Sequence, residues 1–160
     1  MKEYTYIEIL VEDKSGGILI EKIMEKYVID KRNVTYRIHS FKGIGKIPSK
    51  ATRISQIKSK RLLTDLPMYL KGMSSSLENM QGKKAIFVIL DSDNEDCVKL
   101  KCSLMQMYQE LQISVQVFFC IAIEEMEAWL LGDSKALLTA YPMAKRQLLQ
   151  KYIQDSIIGT

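Results

Sequence analysis

The chain lacks the cysteine pattern of a disulfide-stapled protein and the long apolar run of a membrane-spanning one. It has three cysteines and three prolines among 160 residues. The cysteines, Cys97, Cys102 and Cys120, are odd in number, and their spacing matches neither a zinc motif nor a disulfide framework. No apolar run approaches the roughly 20 residues that a transmembrane helix requires. The first residues also lack the basic region followed by an apolar region that is typical of a signal peptide. We therefore expect reduced thiols in a cytoplasmic protein that has no membrane-spanning segment.

Acidic residues are missing from one stretch of the sequence. The net charge of the whole chain is only +4, yet residues 40–64 contain seven basic residues and no acidic one. We call this stretch the basic segment; its cations are Lys42, Lys46, Lys50, Arg53, Lys58, Lys60 and Arg61. The first four of these are candidates for binding a nucleic-acid backbone. A solvated flexible loop is an equally good interpretation of the same composition.

Strand-like and helix-like stretches alternate along the chain. Runs of branched and aromatic residues predict strands at residues 7–11, 34–40, 84–90 and 115–123. Helical spacing predicts helices at 17–29, 60–71, 73–80, 94–111, 124–132, 134–141 and 144–152. We expect Pro67 to cut into the second helix, and Asn94 and Ser134 to cap the helices that follow them. The pattern predicts one α/β domain, with a mainly parallel four-stranded sheet (core 4–123), helices on both faces and a helical C-terminal extension (124–160).

Acidic residues follow three of the four predicted strands. They are Glu12 and Asp13 after the first strand, Asp91 and Asp93 after the third, and Glu124, Glu125 and Glu127 after the fourth. Right-handed crossovers bring the carboxyl ends of parallel strands to one edge of a sheet, where ligands of such sheets bind. Like charges gathered there need a compensating cation, and Mg²⁺ bound through one or two carboxylates is a common solution. The sequence therefore predicts a divalent-cation site at this edge.

Each acidic motif also has a plain structural interpretation. Asp-Ser-Asp-Asn after a strand is ordinary turn chemistry, and Glu12 and Asp13 can simply solvate a loop. Lys14, beside the first turn, can contact a phosphate or lie on the surface. We expect His39, the only histidine, to be structural, and Trp129 to lie in the core.

Two of the motifs resemble the signatures of a known fold. Val11-Glu12-Asp13-Lys14-Ser15-Gly16-Gly17 is similar to the strand, glutamate and turn of the Toprim fold, and Asp91-Ser92-Asp93 is similar to its Asp-x-Asp motif. Topoisomerases, primases, OLD-type nucleases and small ribonucleases share that fold. Residues 41–46, 91–97 and 124–131, the last with its Glu-Ala-Trp, resemble more narrowly a Toprim-like group of small bacterial proteins. Members of that group often accompany an ATPase in phage-defence cassettes.

The resemblance implies a role for each matching residue. Glu12 would be the general acid/base, and Asp91 and Asp93 would bind Mg²⁺ or Mn²⁺. Glu127 and Glu124 would be additions to the metal site that are specific to the narrower group.

Two features depart from the family's pattern. Asp13 stands where many members have glycine, so its side chain would crowd the approach of a phosphate. Relatives also continue into another helix beyond the position of Thr160, so we expect a shortened extension here.

These observations lead to one main hypothesis and two alternatives. Phosphodiester hydrolysis requires a cation, a positioned acid or base, and a cationic surface for the backbone. We therefore expect a Mg²⁺-dependent nuclease that acts on DNA or RNA and has an ATPase as a partner protein. The alternatives are a non-catalytic interaction subunit of an ATPase complex and a hydrolase of small nucleotides.

Overall fold

Strands and helices alternate through the first three quarters of the chain. The computed structural model describes residues 3–28, 33–48, 60–93, 95–123 and 126–153, with only the backbone of 126 and 127. Its elements are β1 (Thr5–Val11), α1 (Lys14–Val28), β2 (Val34–Ser40), α2 (Leu62–Glu78), β3 (Lys83–Asp91), α3 (Cys97–Leu111), β4 (Gln116–Ala122), a 3₁₀ helix (Met126–Gly132), α4 (Ser134–Ala140) and α5 (Arg146–Leu149). The predicted strands are all present, and each begins and ends within two residues of its predicted bounds.

The four strands form one parallel sheet in the order β2-β1-β3-β4. The α/β architecture predicted from the sequence is therefore confirmed. β2, whose polar and apolar residues alternate, is an outer strand, and β3, the most continuously apolar, is an inner one. The last residues of the strands are Val11, Ser40, Asp91 and Ala122. They lie along one side of the sheet, which we call the carboxyl edge.

Helices cover both faces of the sheet. Buried leucines of α2 and α3 share one hydrophobic cluster with Val88 and Leu90 of β3. On the opposite face, Ile20 of α1 lies in a smaller cluster with Ile9 and Val11 of β1. Alternate residues of each inner strand thus face opposite layers, as the two-residue repeat of a strand requires.

α2 differs from its prediction. It is one continuous helix of 17 residues that contains Pro67 in its interior, so the predicted break at the proline is wrong. Pro67 is buried, and its neighbours Leu66 and Leu70 are fully buried. Burial of several leucines stabilises a helix by more than the roughly 3 kcal/mol that an interior proline costs.

Two helix caps also differ from their predictions. Asp96, immediately before α3, accepts hydrogen bonds from two backbone N–H groups of the first turn, at 2.9 and 3.0 Å. A cap must directly precede the first helical residue, and the predicted cap, Asn94, lies too early and outside the described residues. Ser134 is itself the first residue of α4, and Asp133 caps that helix.

The C-terminal extension is helical but contributes little to the core. α4 and α5 have no buried residue. In the 3₁₀ helix Ala128 is buried and Trp129 is 45% exposed, so the prediction of a core tryptophan is wrong. A 3₁₀ helix has three residues per turn, which shifts the buried face away from the one that α-helical spacing predicts. Within the described residues, no helix has the length and apolar character needed to cross a bilayer.

Two glycines should respond in opposite ways to an added methyl group. Gly82, before β3, has φ of +125°, and a Cβ there would lie 2.3 Å from the carbonyl oxygen of Tyr4. We expect Gly82→Ala to lower the free energy of unfolding by about 2 kcal/mol. Gly72, on α2, has open space around it, so Gly72→Ala should raise that free energy by about 0.5–1 kcal/mol. Urea denaturation measures both, and changes of the same sign would contradict the packing described here.

Candidate functional site

The side chain of Glu12 reaches from the end of β1 to the end of β3. Its backbone N–H donates to the carbonyl of Ile89 at 3.3 Å, which extends the β1–β3 pairing by one residue. Its Oε2 accepts a hydrogen bond from the backbone N–H of Asp91, also at 3.3 Å. Asp91 is only 7% exposed. The structure therefore brings together two acids that are 79 positions apart in the sequence.

The environment of Glu12 favours its protonated form. Burial raises the pKa of Glu12 from 4.5 to about 7, and the hydrogen bond from the Asp91 backbone opposes that rise. The negative charges of Asp93, Asp91 and Asp13 raise the pKa further. A carboxyl group with a pKa near neutrality can both accept and donate a proton at physiological pH.

Asp93 lies in a turn that β4 holds in place. The middle residue of Asp-Ser-Asp, Ser92, is buried and donates two hydrogen bonds, from its N–H to the carbonyl of Ala122 (2.8 Å) and from its hydroxyl to that of Ile123 (3.2 Å). Asp93 has φ of +46°, a left-handed conformation that aspartate and asparagine tolerate better than most residues. The turn interpretation and the site interpretation of this motif are thus compatible.

Asp13 begins α1. Its Oδ1 accepts a hydrogen bond from the backbone N–H of Gly16 at 2.7 Å, and its Oδ2 accepts one from the hydroxyl of Ser15 at 2.5 Å. Oδ1 thus caps the helix and Oδ2 bonds a side chain of its first turn, which gives a structural reason for an acid at the position where many Toprim proteins have glycine. Lys14, the first residue of α1, is exposed and lies two residues after Glu12 in the sequence.

The basic segment begins beside Glu12. The backbone N–H of Gly43 donates to the carbonyl of Glu12 at 3.0 Å, and that of Phe41 donates to the carbonyl of Val11 at 3.1 Å. The cations of the segment that the structure describes are all exposed: Lys42, Lys46, Lys60 and Arg61. Lys50 and Arg53, the other two predicted nucleic-acid contacts, lie outside the described residues.

The described acids form only part of the predicted metal site. Within the part of the chain that the structure describes, no three His, Cys, Asp or Glu residues are close enough to hold a metal ion. Glu124 lies outside that part, and the side chain of Glu127 is not described. Mg²⁺ usually takes one or two protein carboxylates and keeps several waters. The chemistry of the remaining donors, Asp91 and Asp93, fits that requirement.

Two further polar residues near the site have clear structural partners. Nε2 of His39 lies 2.7 Å from Oε2 of Glu8, which pairs β2 with β1 and agrees with the expected structural role of the histidine. Asp65 on α2 is buried, and its Oδ2 accepts a hydrogen bond from the backbone N–H of Lys60 at 2.7 Å. Sequence reasoning did not single out Asp65. An acid near the start of a predicted helix, directly after the basic segment, is the signal that could have done so.

The raised pKa of Glu12 predicts a pH dependence of stability. Without metal, the folded protein keeps the proton of Glu12 up to about pH 7, whereas the unfolded chain loses it near 4.5. Protonation of Glu12 therefore contributes stability that is fully present below about pH 4.5 and is lost as the pH rises through 7. We expect the free energy of unfolding to fall between pH 5 and pH 8 by about 1 kcal/mol more in the wild type than in Glu12→Gln, a small value because partial exposure screens the effect.

Chemical denaturation in EDTA at both pH values measures this difference. Glu110→Gln, which changes an exposed acid on α3, is the matched control and should follow the wild type. Parallel pH profiles for the wild type and Glu12→Gln would contradict the described environment of Glu12.

Comparison with known proteins does not identify the site. No protein-family model, curated protein or solved structure matches the chain. Its interpretation therefore depends on the positions of the residues themselves: Glu12 against the end of β3, and the basic segment against Glu12.

Proposed function

We propose that this protein is a Mg²⁺- or Mn²⁺-dependent phosphodiesterase that cleaves DNA or RNA. One observation carries the proposal. Glu12 is hydrogen-bonded to the end of β3 through its side chain and to the basic segment through its backbone. An acid with a pKa near 7, two further carboxylates and an exposed cationic loop thus belong to the same small region. Those are the groups that phosphodiester hydrolysis needs.

Each residue has a defined part in the proposal. Asp91 and Asp93 hold the metal ion, and Glu127 and Glu124 are further candidate ligands. The ion, when bound, neutralises charge on the phosphate and lowers the pKa of its water. Glu12 transfers a proton to or from the reacting oxygen, since its burial brings its pKa to about 7.

Exposed cations bind the substrate backbone in the proposal. Lys42 and Lys46 contact phosphates, with Lys50 and Arg53 as further candidates, and Lys14 contacts a phosphate beside the turn. Such contacts neutralise charge without reading bases, so binding should be independent of sequence and should weaken in salt.

The resemblance to the Toprim family supports the same assignment. It matches Glu12 and the Asp91–Asp93 motif to residues that act together in that family, and in this chain Glu12 contacts the backbone of Asp91. We extend the proposal to the narrower group: a cytoplasmic protein that works with an ATPase partner in phage defence.

Substitution of the acids tests the proposed activity. Asp91→Asn, Asp93→Asn and Glu12→Gln remove charge with little change of shape, and asparagine tolerates the left-handed conformation of Asp93. We expect each to lower kcat for cleavage of single- or double-stranded DNA or RNA by about 100-fold or more in Mg²⁺. EDTA should abolish cleavage by the wild type, and Glu110→Gln should cleave normally. Equal cleavage by the wild type and all three variants would remove the proposal.

Exposed apolar residues favour a second candidate, a non-catalytic interaction subunit of an ATPase complex. Several large apolar side chains of the C-terminal extension are exposed: Trp129, Leu130, Tyr141, Met143, Leu148 and Ile153. Exposed apolar side chains mark a protein contact where they cluster. Calorimetry distinguishes the candidates. Mg²⁺ binding that Asp93→Asn abolishes supports the enzyme, whereas no binding at millimolar Mg²⁺ or Mn²⁺ supports the interaction subunit.

A further inference from the structure

The hydroxyl of Thr64, in the first turn of α2, bonds the backbone of the basic segment at Lys46. The backbone N–H of Lys46 donates to Oγ1 of Thr64 at 3.2 Å. The same hydroxyl donates to the carbonyl of Lys46 at 3.3 Å. Thr64 therefore fixes both polar groups of the Lys46 backbone, as only a side chain that donates and accepts can do.

Backbone hydrogen bonds continue this contact along the segment. The N–H groups of Leu62 and Leu63 donate to the carbonyls of Gly43 and Ile44, at 3.0 and 2.7 Å. The first N–H groups of a helix have no partner within it, so here the basic segment supplies the acceptors that α2 lacks. The backbone donors at the start of α2 and the carbonyls of Gly43 and Ile44 thus satisfy each other.

A second set of hydrogen bonds joins the two ends of the basic segment near Lys42 and Lys60. Oδ2 of Asp65 accepts from the N–H of Lys60 at 2.7 Å, and the carbonyl of Lys60 accepts from the N–H of Lys42 at 2.7 Å. Lys60 has φ of +63°, an unfavourable conformation for lysine, and the bond to the buried Asp65 helps to hold it.

The chain approaches Thr64 so closely that one position must be glycine. Gly45 has φ of +72°, and a Cβ there would lie 2.6 Å from Oγ1 of Thr64 and 2.7 Å from Cβ of Arg61. Glycine at this position lets residues 42–46 of the basic segment pack against the start of α2.

We propose that Thr64 is a positioning residue for the substrate. Its hydroxyl holds the backbone of Lys46, three residues beyond the Gly43 bond to Glu12, so that the lysine is presented near the reacting phosphate. A cation on an already ordered backbone loses less conformational freedom when a polyanion binds. The inference depends on the proposed nuclease function, because it assigns a polynucleotide backbone as the ligand of the segment.

Three variants test this role. Thr64→Val keeps the shape of the side chain and removes the hydroxyl, whereas Thr64→Ser keeps the hydroxyl. Thr139→Val is the matched control, because Thr139 is an exposed helical threonine whose hydroxyl donates to the carbonyl of Lys135 in its own helix. Thr64 is also exposed, so Thr64→Val should fold, which its thermal midpoint checks.

We expect the loss of the hydroxyl to affect substrate binding. In EDTA, the Kd of Thr64→Val for a labelled DNA or RNA oligonucleotide should rise by about three- to ten-fold. The slope of log Kd against log salt should fall by up to about one, as for one lost phosphate contact. In Mg²⁺, KM should rise more than kcat falls. Thr64→Ser and Thr139→Val should resemble the wild type in all three measurements.

Amide hydrogen exchange gives a readout that needs no substrate. The N–H of Lys46 should exchange faster in Thr64→Val than in the wild type or Thr64→Ser. If the wild type binds oligonucleotide and Thr64→Val binds it equally well with the same salt slope, the positioning role is overturned and the proposed function stands. If the wild type neither binds nor cleaves any polynucleotide, the proposed function fails and the positioning role fails with it, even where the exchange result agrees.

Discussion

Glu12 connects the parts of the molecule that the candidate site needs. Its N–H pairs with Ile89, its carboxylate accepts from Asp91, and its carbonyl accepts from Gly43. Neighbouring strands lie about 4.8 Å apart, so a side chain that follows β1 can reach the main chain at the end of β3. The same residue bonds the basic segment through its backbone. The parallel sheet therefore determines where the acids meet, and Glu12 determines where the cationic loop begins relative to them.

The charges at the carboxyl edge favour either a proton or a cation. Without a metal, burial and the charges of Asp91, Asp93 and Asp13 keep Glu12 largely protonated below pH 7. A divalent ion held by Asp91 and Asp93 would replace negative potential by positive potential and would favour the ionised carboxylate. Metal binding would then favour loss of the proton from Glu12. The ionised carboxylate that results is the form that a general base needs. On the proposed function, Glu12 would therefore be ionised, and able to act as a base, when the metal is bound.

The sequence predicted the strands and the convergence of Glu12 with Asp91, because both depend on regular patterns. Strand alternation, helical spacing and the common direction of parallel strands need no knowledge of particular contacts. The helix through Pro67 was missed because long-range burial outweighed a local preference. The contact of Thr64 with Lys46 was missed for a similar reason. It joins residues 18 positions apart through a loop whose path depends on positive φ angles at Gly43 and Gly45, which composition alone does not specify.

The location of the acids bears on the size of the substrate. A cavity of about 460 Å³ lies near the amino ends of β3 and β4, lined by residues such as Gly82, Lys84 and Gln116. None of the predicted site acids lines this cavity. The Glu12–Asp91 pair belongs to the opposite edge, where the described cations are exposed. A long polyanion can pass across such an edge and contact several cations at once, whereas a single nucleotide would contact few of them. On the proposed function, this edge therefore suits a polynucleotide better than a single nucleotide.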